Sequence, residues 1–210
     1  MRAALGLDRV HLLGYCWGGM LALEYALTRS PGLASLVLQS CDASSPMVEI
    51  AIQRVYDGLP AEVRETLRRH EAAGTTDAPE YKAARRVFDV RHVCRIDPWP
   101  AFLQRAMARA NWAIIAAMRE RDDRQAPGGL KNWDVTADLG EIRLPTLVLG
   151  GRYDGIAPGQ DEVLRDGIPG AEWVRFEESS HFAHAEESGR FLGVLNDFLT
   201  RVERGTVQPA

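Results

Sequence analysis

Lysine is almost missing from this chain: 2 of its 25 basic residues are lysine and 23 are arginine. The arginines are scattered among acids, as in "RERDDR" at 119–124, a pattern of solvated helix ends rather than of a binding surface. The skew itself reads as a coding bias. With a formal net charge of −4, nothing general draws the chain to nucleic acid or to an anionic membrane. Cysteine is scarce too. Cys16, Cys41 and Cys94 are odd in number and lack paired spacing, which excludes a disulfide framework and fits a reducing cytoplasm. No apolar run approaches the ~18–20 residues that span a bilayer, and Met1 is not followed by a leader pattern. The expectation is a soluble, cytoplasmic protein. No Walker A sequence and no Gly-x-Gly-x-x-Gly occur, so no nucleotide cofactor is expected. Internal repeats and low-complexity segments are absent as well.

What is present reads as three parts. In the first, residues 2–7 look like the tail of a helix that Gly6 helps to end. Residues 10–14 form a short apolar run suited to a strand buried on both faces. Residues 18–30 read as a helix stopped by Pro31 and Gly32, and 34–39 as a second buried strand. Strand, helix and strand with short joints make a βαβ unit with parallel strands. The second part, about 44–135, is helical in pattern. Candidate helices cover 47–57, 61–72, 80–90 and 101–121, with Pro60, Gly74, Pro79 and Pro98 between them. Helices inserted between strands form either a separate domain or a cap over the strand ends. In the third part "PTLVLGG" (145–151) and "AEWVRF" (171–176) are strands, with a short helix at 160–167 between them. An amphipathic helix at 187–204 presents Phe191, Leu192, Leu195, Phe198 and Leu199 on one face. The division is thus a core of 1–43 and 136–204, a helical cap of 44–135 and a frayed tail of 205–210.

The chemistry centres on "LLGYCWGG". A nucleophile exposed on a buried parallel sheet needs a sharp strand-to-helix turn with a strained apex, and small residues where strand and helix pass close. Cys16 stands at the apex, with Gly14 and Gly18 two positions to either side and Gly19 adding room. The helix start would bring partial positive charge to Cys16, and the Trp17 N–H would serve as an oxyanion donor. The alternatives to a nucleophile are an inert buried thiol and a weakened substitution for serine. Asp154 follows the strand 145–151, where catalytic groups gather in open α/β sheets, or else it closes an Asx-turn or helix cap. His181 follows the next strand, 27 residues on. In this reading His181 takes the thiol proton and returns one to the leaving group, while Asp154 orients the imidazole. His181 and His184 with Glu186 and Glu187 match no zincin spacing, so no metal is expected. His184 reads as loop support, and His11, His70 and His92 as structural or surface residues.

With elbow, acid and histidine in place, the chain resembles the α/β-hydrolase superfamily, and more narrowly the proline iminopeptidase group, peptidase family S33. The segments carrying the resemblance are "LGLDRVHLLGYCWGGMLALEYAL", "LKNWDV" (130–135), "LPTLVLGGRYD" (144–154) and "SSHFAHAEE" (179–187). It implies a parallel sheet with helices on both faces, an inserted helical cap, and Cys16, Asp154 and His181 as the triad. The implied activity is cleavage of an N-terminal amino acid, often proline, or of a small amide or ester.

Three departures stand out. Cysteine replaces the group's serine. Dienelactone hydrolases also use cysteine in a similar elbow, but they lack a large cap and their acid follows much sooner. Gly155 occupies a position where the iminopeptidase group often has an acid. Finally, the resemblance implies about four strands before the elbow, and the residues preceding it cannot supply them. The sheet should therefore have about four parallel strands, with the elbow strand at an exposed edge open to pairing or self-association. A truncated or non-catalytic hydrolase domain and a dienelactone-type esterase or lactonase are the alternatives to a capped hydrolase acting on a small molecule or short peptide.

Overall fold

The computed structural model describes residues 2–119 and 130–207. The reading of 119–124 as a solvated helix end, the last residues of the helix expected at 101–121 and the end of the tail at 208–210 lie wholly or partly outside them. A 3₁₀ turn (Ala3–Leu5) ends at Gly6, whose φ of 66° is left-handed. Then come β1 (Val10–Tyr15), α1 (Trp17–Leu27) and β2 (Leu33–Gln39). Five helices follow: α2 (Ser45–Asp57), α3 (Ala61–Ala73), α4 (Pro79–His92), α5 (Ala101–Ala108) and α6 (Trp112–Arg119). The α/β rhythm returns with β3 (Thr146–Gly151), α7 (Gln160–Gly167) and β4 (Glu172–Phe176). A four-residue helix, α8 (Ala183–Glu186), and the long α9 (Ser188–Glu203) close the described chain.

The four strands are all parallel and lie in the order β1-β2-β3-β4. Side chains alternate across the sheet with a period of two, and the cores on its two faces follow. Leu36, Leu38 and Val148 point to one face and pack with Leu23 of α1 and Leu164 of α7. Val37, Leu147 and Leu149 point to the other and pack with Phe191, Phe198 and Val202 of α9. Each such fully buried side chain contributes roughly 1.5–3 kcal/mol. A third cluster joins α3 and α4 through Val63, Leu67, Ala84 and Phe88, and Ile156 and Phe182 from the loops after β3 and β4 pack against it. The helical segment is thereby anchored on the carboxyl ends of the strands.

Three expectations need correction. The run at 10–14 is not buried on both faces: β1 has a strand on one side only, Leu13 is 44% exposed, and Gly14 alone of its residues is buried. The helix expected from 101 is broken after Ala108, because the Asn111 side chain accepts the Ile114 N–H at 3.2 Å and starts α6 afresh. On α9, Leu192 is 54% exposed and lies off the buried stripe, which runs through Phe191, Phe198 and Val202. No helix among the described residues is long and apolar enough to cross a membrane.

Candidate active site

Three strand ends supply the candidate groups. Cys16 follows β1 with φ 53° and ψ −124°, a conformation a cysteine holds only at a cost of about 1–3 kcal/mol. Neighbouring bonds maintain it: the Cys16 N–H donates to Gln39 O at 3.1 Å, and Cys16 O accepts the Gly19 N–H at 2.9 Å. Trp17 opens α1, so its N–H is among the four that lack an intrahelical acceptor.

The glycines divide differently from the expectation. A Cβ on Gly14 would lie 2.5 Å from Gly18 O and 2.6 Å from Gly19 Cα, and one on Gly19 would run into the Cys41 side chain. A Cβ on Gly18 would meet nothing within 4 Å. Strand and helix therefore touch at 14 and 19, and Gly18 turns to open space.

Asp154 follows β3 and plays both roles that stood as alternatives. Its Oδ1 accepts the N–H groups of Ile156 at 2.8 Å and Ala157 at 3.0 Å, closing an Asx-turn. Both its oxygens also face His181 Nδ1, at 3.1 and 3.0 Å. The turn aims the carboxylate. Asp154 and His181 are 8% and 3% exposed. His181 also shares a side-chain hydrogen bond with Cys16. With Nδ1 turned to Asp154, Nε2 is the ring nitrogen left for the sulfur.

Burial pushes the Asp154 carboxyl up, but the His181 charge and hydrogen bond and the two N–H donors outweigh it and hold the group below the usual range. Burial pushes His181 down, and the Asp154 and Cys16 charges and hydrogen bonds outweigh that, raising it to about 10. Linkage fixes how stability follows pH. The contribution of His181 is complete below its ordinary 6.5 and is lost as pH rises through the raised folded value. That of Asp154 is complete above its ordinary 3.8 and is lost as pH falls through the lowered folded value. The Tm difference between the wild type and Asp154→Asn should thus be widest between about pH 4.5 and 6.5 and narrow toward either extreme. A difference that stays flat from pH 5 to 10 would show that the pair carries no charge.

The loop bearing His181 is held by residues whose role the sequence reading missed. A Cβ on Gly151 would fall 2.8 Å from Ser179 O and closer still to Ser180 O, so only glycine lets this loop lie against the end of β3. The "GG" at the strand end was its signal. Glu186 turns back to accept the N–H groups of Ser180 at 3.0 Å, Phe182 at 3.2 Å and Arg95 at 2.9 Å. Glu187 accepts the Glu178 N–H at 3.1 Å and the Ser179 hydroxyl at 2.7 Å. The Tyr153 N–H donates to Ser179 O at 3.0 Å.

His184 supports the loop as anticipated. Its Nδ1 accepts from Gln39 Nε2 at 2.8 Å, and burial, then the His181 charge, lowers its pKa. The Tyr15 ring lies 5.1 Å from both His181, tilted, and His184, edge-on. His92 accepts the Gly155 N–H at its backbone oxygen, and a Cβ on Gly155 would meet His92 Cβ at 2.5 Å. No side chain fits at 155 unless His92 moves. His11 bridges Ser35 at 2.7 Å and Glu203 at 2.8 Å at the opposite end of the sheet, and His70 bonds Thr75 at 2.8 Å; neither meets the triad candidates. None of the three cysteines forms a disulfide.

The chain is similar to known proteins over most of its length. A family profile described as alpha/beta hydrolase fold matches residues 1–188. A proline iminopeptidase of Heyndrickxia coagulans is 37% identical over 203 residues, covering 96% of this chain and 70% of that protein. One from Saccharolobus solfataricus is 31% identical over 207 residues, covering 96% of this chain and 65% of that one. Among solved structures, the proline iminopeptidase of Mycobacterium smegmatis superposes with a TM-score of 0.87 at 34% identity, over 98% of this chain and 69% of that one. VinJ superposes at 0.88 and 36%, over 96% and 69%. With this fold, these loops and these relatives, the chain belongs to the α/β-hydrolase family, within it to the proline iminopeptidase group.

Proposed function

We propose that the chain hydrolyses short peptides at their N-terminal residue, proline among them, or small amides and esters, with Cys16 as nucleophile. The supporting observation is the hydrogen-bonded row Asp154–His181–Cys16, drawn from the ends of three parallel strands. In this reading His181 Nε2 has already taken the thiol proton, and the Cys16 thiolate attacks the substrate carbonyl carbon. The oxyanion that forms is met by the Trp17 N–H. The C–N bond then breaks, the imidazolium gives its proton to the departing amine, and a thioester remains on Cys16. Water, deprotonated by His181, attacks the thioester carbonyl. The C–S bond breaks, the acid is released, and the Cys16 thiolate is left beside the His181 imidazolium, ready for the next cycle. Asp154 keeps Nδ1 protonated throughout and balances the imidazolium charge. Helices α2–α6 serve as a cap that bounds the substrate over the strand ends, separate from a core of 1–43 and 136–204.

The test is to trap the intermediate. Acid quenching during turnover of a proline p-nitrophenyl ester should leave Cys16, and neither Cys41 nor Cys94, heavier by one prolyl group. Iodoacetamide should label Cys16 at least tenfold faster in the wild type than in His181→Ala, since the thiolate is the reactive form. Equal labelling of all three cysteines, or the absence of a prolyl adduct, would remove Cys16 as nucleophile.

A further inference from the structure

The end of α4 touches both loops that carry the candidate acid and base. His92, its last residue, holds the two residues that flank Asp154. Its backbone oxygen accepts the Gly155 N–H at 3.0 Å, and its Nδ1 lies 3.1 Å from Tyr153 O. A carbonyl oxygen only accepts, so Nδ1 carries a proton and donates it. A little farther on, Arg95 reaches the other loop. Its N–H donates to Glu186 Oε2 at 2.9 Å, and its Nε donates to Glu178 O at 3.1 Å. Its guanidinium also lies 3.9 Å from the centre of the Tyr153 ring, on the residue before Asp154.

Glu186 does for His181 what His92 does for Asp154. Its Oε1 accepts the N–H groups of Ser180 at 3.0 Å and Phe182 at 3.2 Å, the residues on either side of His181. The Ser180 hydroxyl bonds both carboxylate oxygens, and Oε2 takes the Arg95 N–H. One carboxylate thus joins the histidine loop to the helical segment. Apolar packing runs the same way: Ile156 and Phe182 lie against the cluster that contains Phe88, one turn before His92 on α4.

We propose that His92 and Glu186 are positioning residues that set Asp154 against His181 from the end of α4, so that the helical segment aligns the triad as well as covering it. This rests on the triad reading above. A residue whose neighbours are bonded on both sides cannot lift or turn unless those bonds break. A working constellation tolerates displacements of only about 0.5 Å, and the 3.0 Å contact between Asp154 and His181 depends on both loops at once. Once it loosens, the imidazolium loses its partner, the thiolate loses the imidazolium, and Cys16 returns toward an ordinary thiol.

The rate of iodoacetamide labelling of Cys16, followed from pH 5 to 10 in the full chain, tests this, because the reagent needs no substrate site. The titratable groups around His181 are Cys16 and Tyr15 from the elbow, Asp154 from the acid loop, and His184 and Glu186 from its own loop. In Glu186→Gln one oxygen becomes an NH2 group, a donor facing donors, and one side of the joint opens. Labelling at pH 6 should slow about tenfold and recover near pH 9, as the profile moves up by about one pH unit. His92→Leu should move it the same way. Burial lowers the His92 pKa, so at neutral pH this variant removes a bond without removing a charge. His92→Asn, whose amide N–H can replace Nδ1–H, should restore the wild-type profile. Arg86→Ala, which breaks the ion pair with Asp97 beside the same helix, should leave the profile in place whatever it does to Tm. If Glu186→Gln and His92→Leu lower Tm but leave the profile where it is, while His181→Ala moves it, both residues are only structural and this proposal is overturned with the triad reading intact. If His181→Ala does not move the profile, the triad reading falls, and this proposal falls with it.

Discussion

Cys16→Ala should lower kcat/KM for a proline amide by at least about 10³-fold, with His181→Ala close behind, because members of such a row act as a unit. The loss should fall on kcat. The Cys16 side chain does not carry the fold: the two faces of the sheet are packed by α1, α7 and α9, whose core side chains stay in place. Circular dichroism and Tm should therefore remain near wild type for Cys16→Ala. A companion variant sharpens the point. Cys16 holds a left-handed φ of 53°, and glycine adopts that region freely, so Cys16→Gly should gain up to about 1 kcal/mol of stability while losing all activity. Stability spent at the apex for the sake of geometry is what a nucleophile elbow requires, and an inert core thiol has no use for it. If Cys16→Ala kept a tenth or more of wild-type activity, sulfur would not be the attacking atom.

Gly151→Ala should be the most damaging single-methyl addition, costing about 3 kcal/mol or more. The added carbon would press on the carbonyl oxygens of Ser179 and Ser180. These are backbone atoms, pinned by the Tyr153 N–H and by the loop N–H groups that donate to Glu186 and Glu187, and they cannot swing aside as the end of a side chain can. The loop would have to lift, carrying His181 away from Asp154. Labelling of Cys16 should slow as stability falls, which joins the structural defect to the chemical one. Gly14→Ala should be similarly severe, since its new methyl would meet the backbone of Gly18 and Gly19. Gly18→Ala is the control. It faces open space in the first turn of α1, where alanine is the better helix former, so its effect should stay within about 1 kcal/mol in either direction. If Gly18→Ala proved as harmful as Gly14→Ala, strand and helix would meet elsewhere than the structure has them.

The strand–turn–helix at Val10–Leu27 was legible because its signals are local: an apolar run, the glycines at 14, 18 and 19 and an apolar helix follow one another within 18 residues. Helix boundaries at Pro60, Gly74 and Pro79 were legible for the same reason, since proline suits the start of a helix and left-handed glycine its end. The break at Asn111 was local too, but an asparagine cap inside an apolar run is hidden by the run around it. Asp154 and His181 were found from their places after β3 and β4. The resemblance to proline iminopeptidases rested on the same short segments.

By itself, then, the sequence determined the order of elements, the parallel sheet, the elbow and the three candidate groups. Tertiary structure decided everything that depends on distance across the chain. It brought Asp154 within hydrogen-bond reach of His181 and made one Asp154 oxygen serve turn and imidazole together. It singled out Gly151 and Gly19 as crowded and Gly18 as open. It turned Glu186 and Glu187 into clamps on the histidine loop. The physical reason is that patterning and turn chemistry act between neighbours in the chain, whereas close approach, burial and charge coupling act between neighbours in space, which only the folded sheet defines.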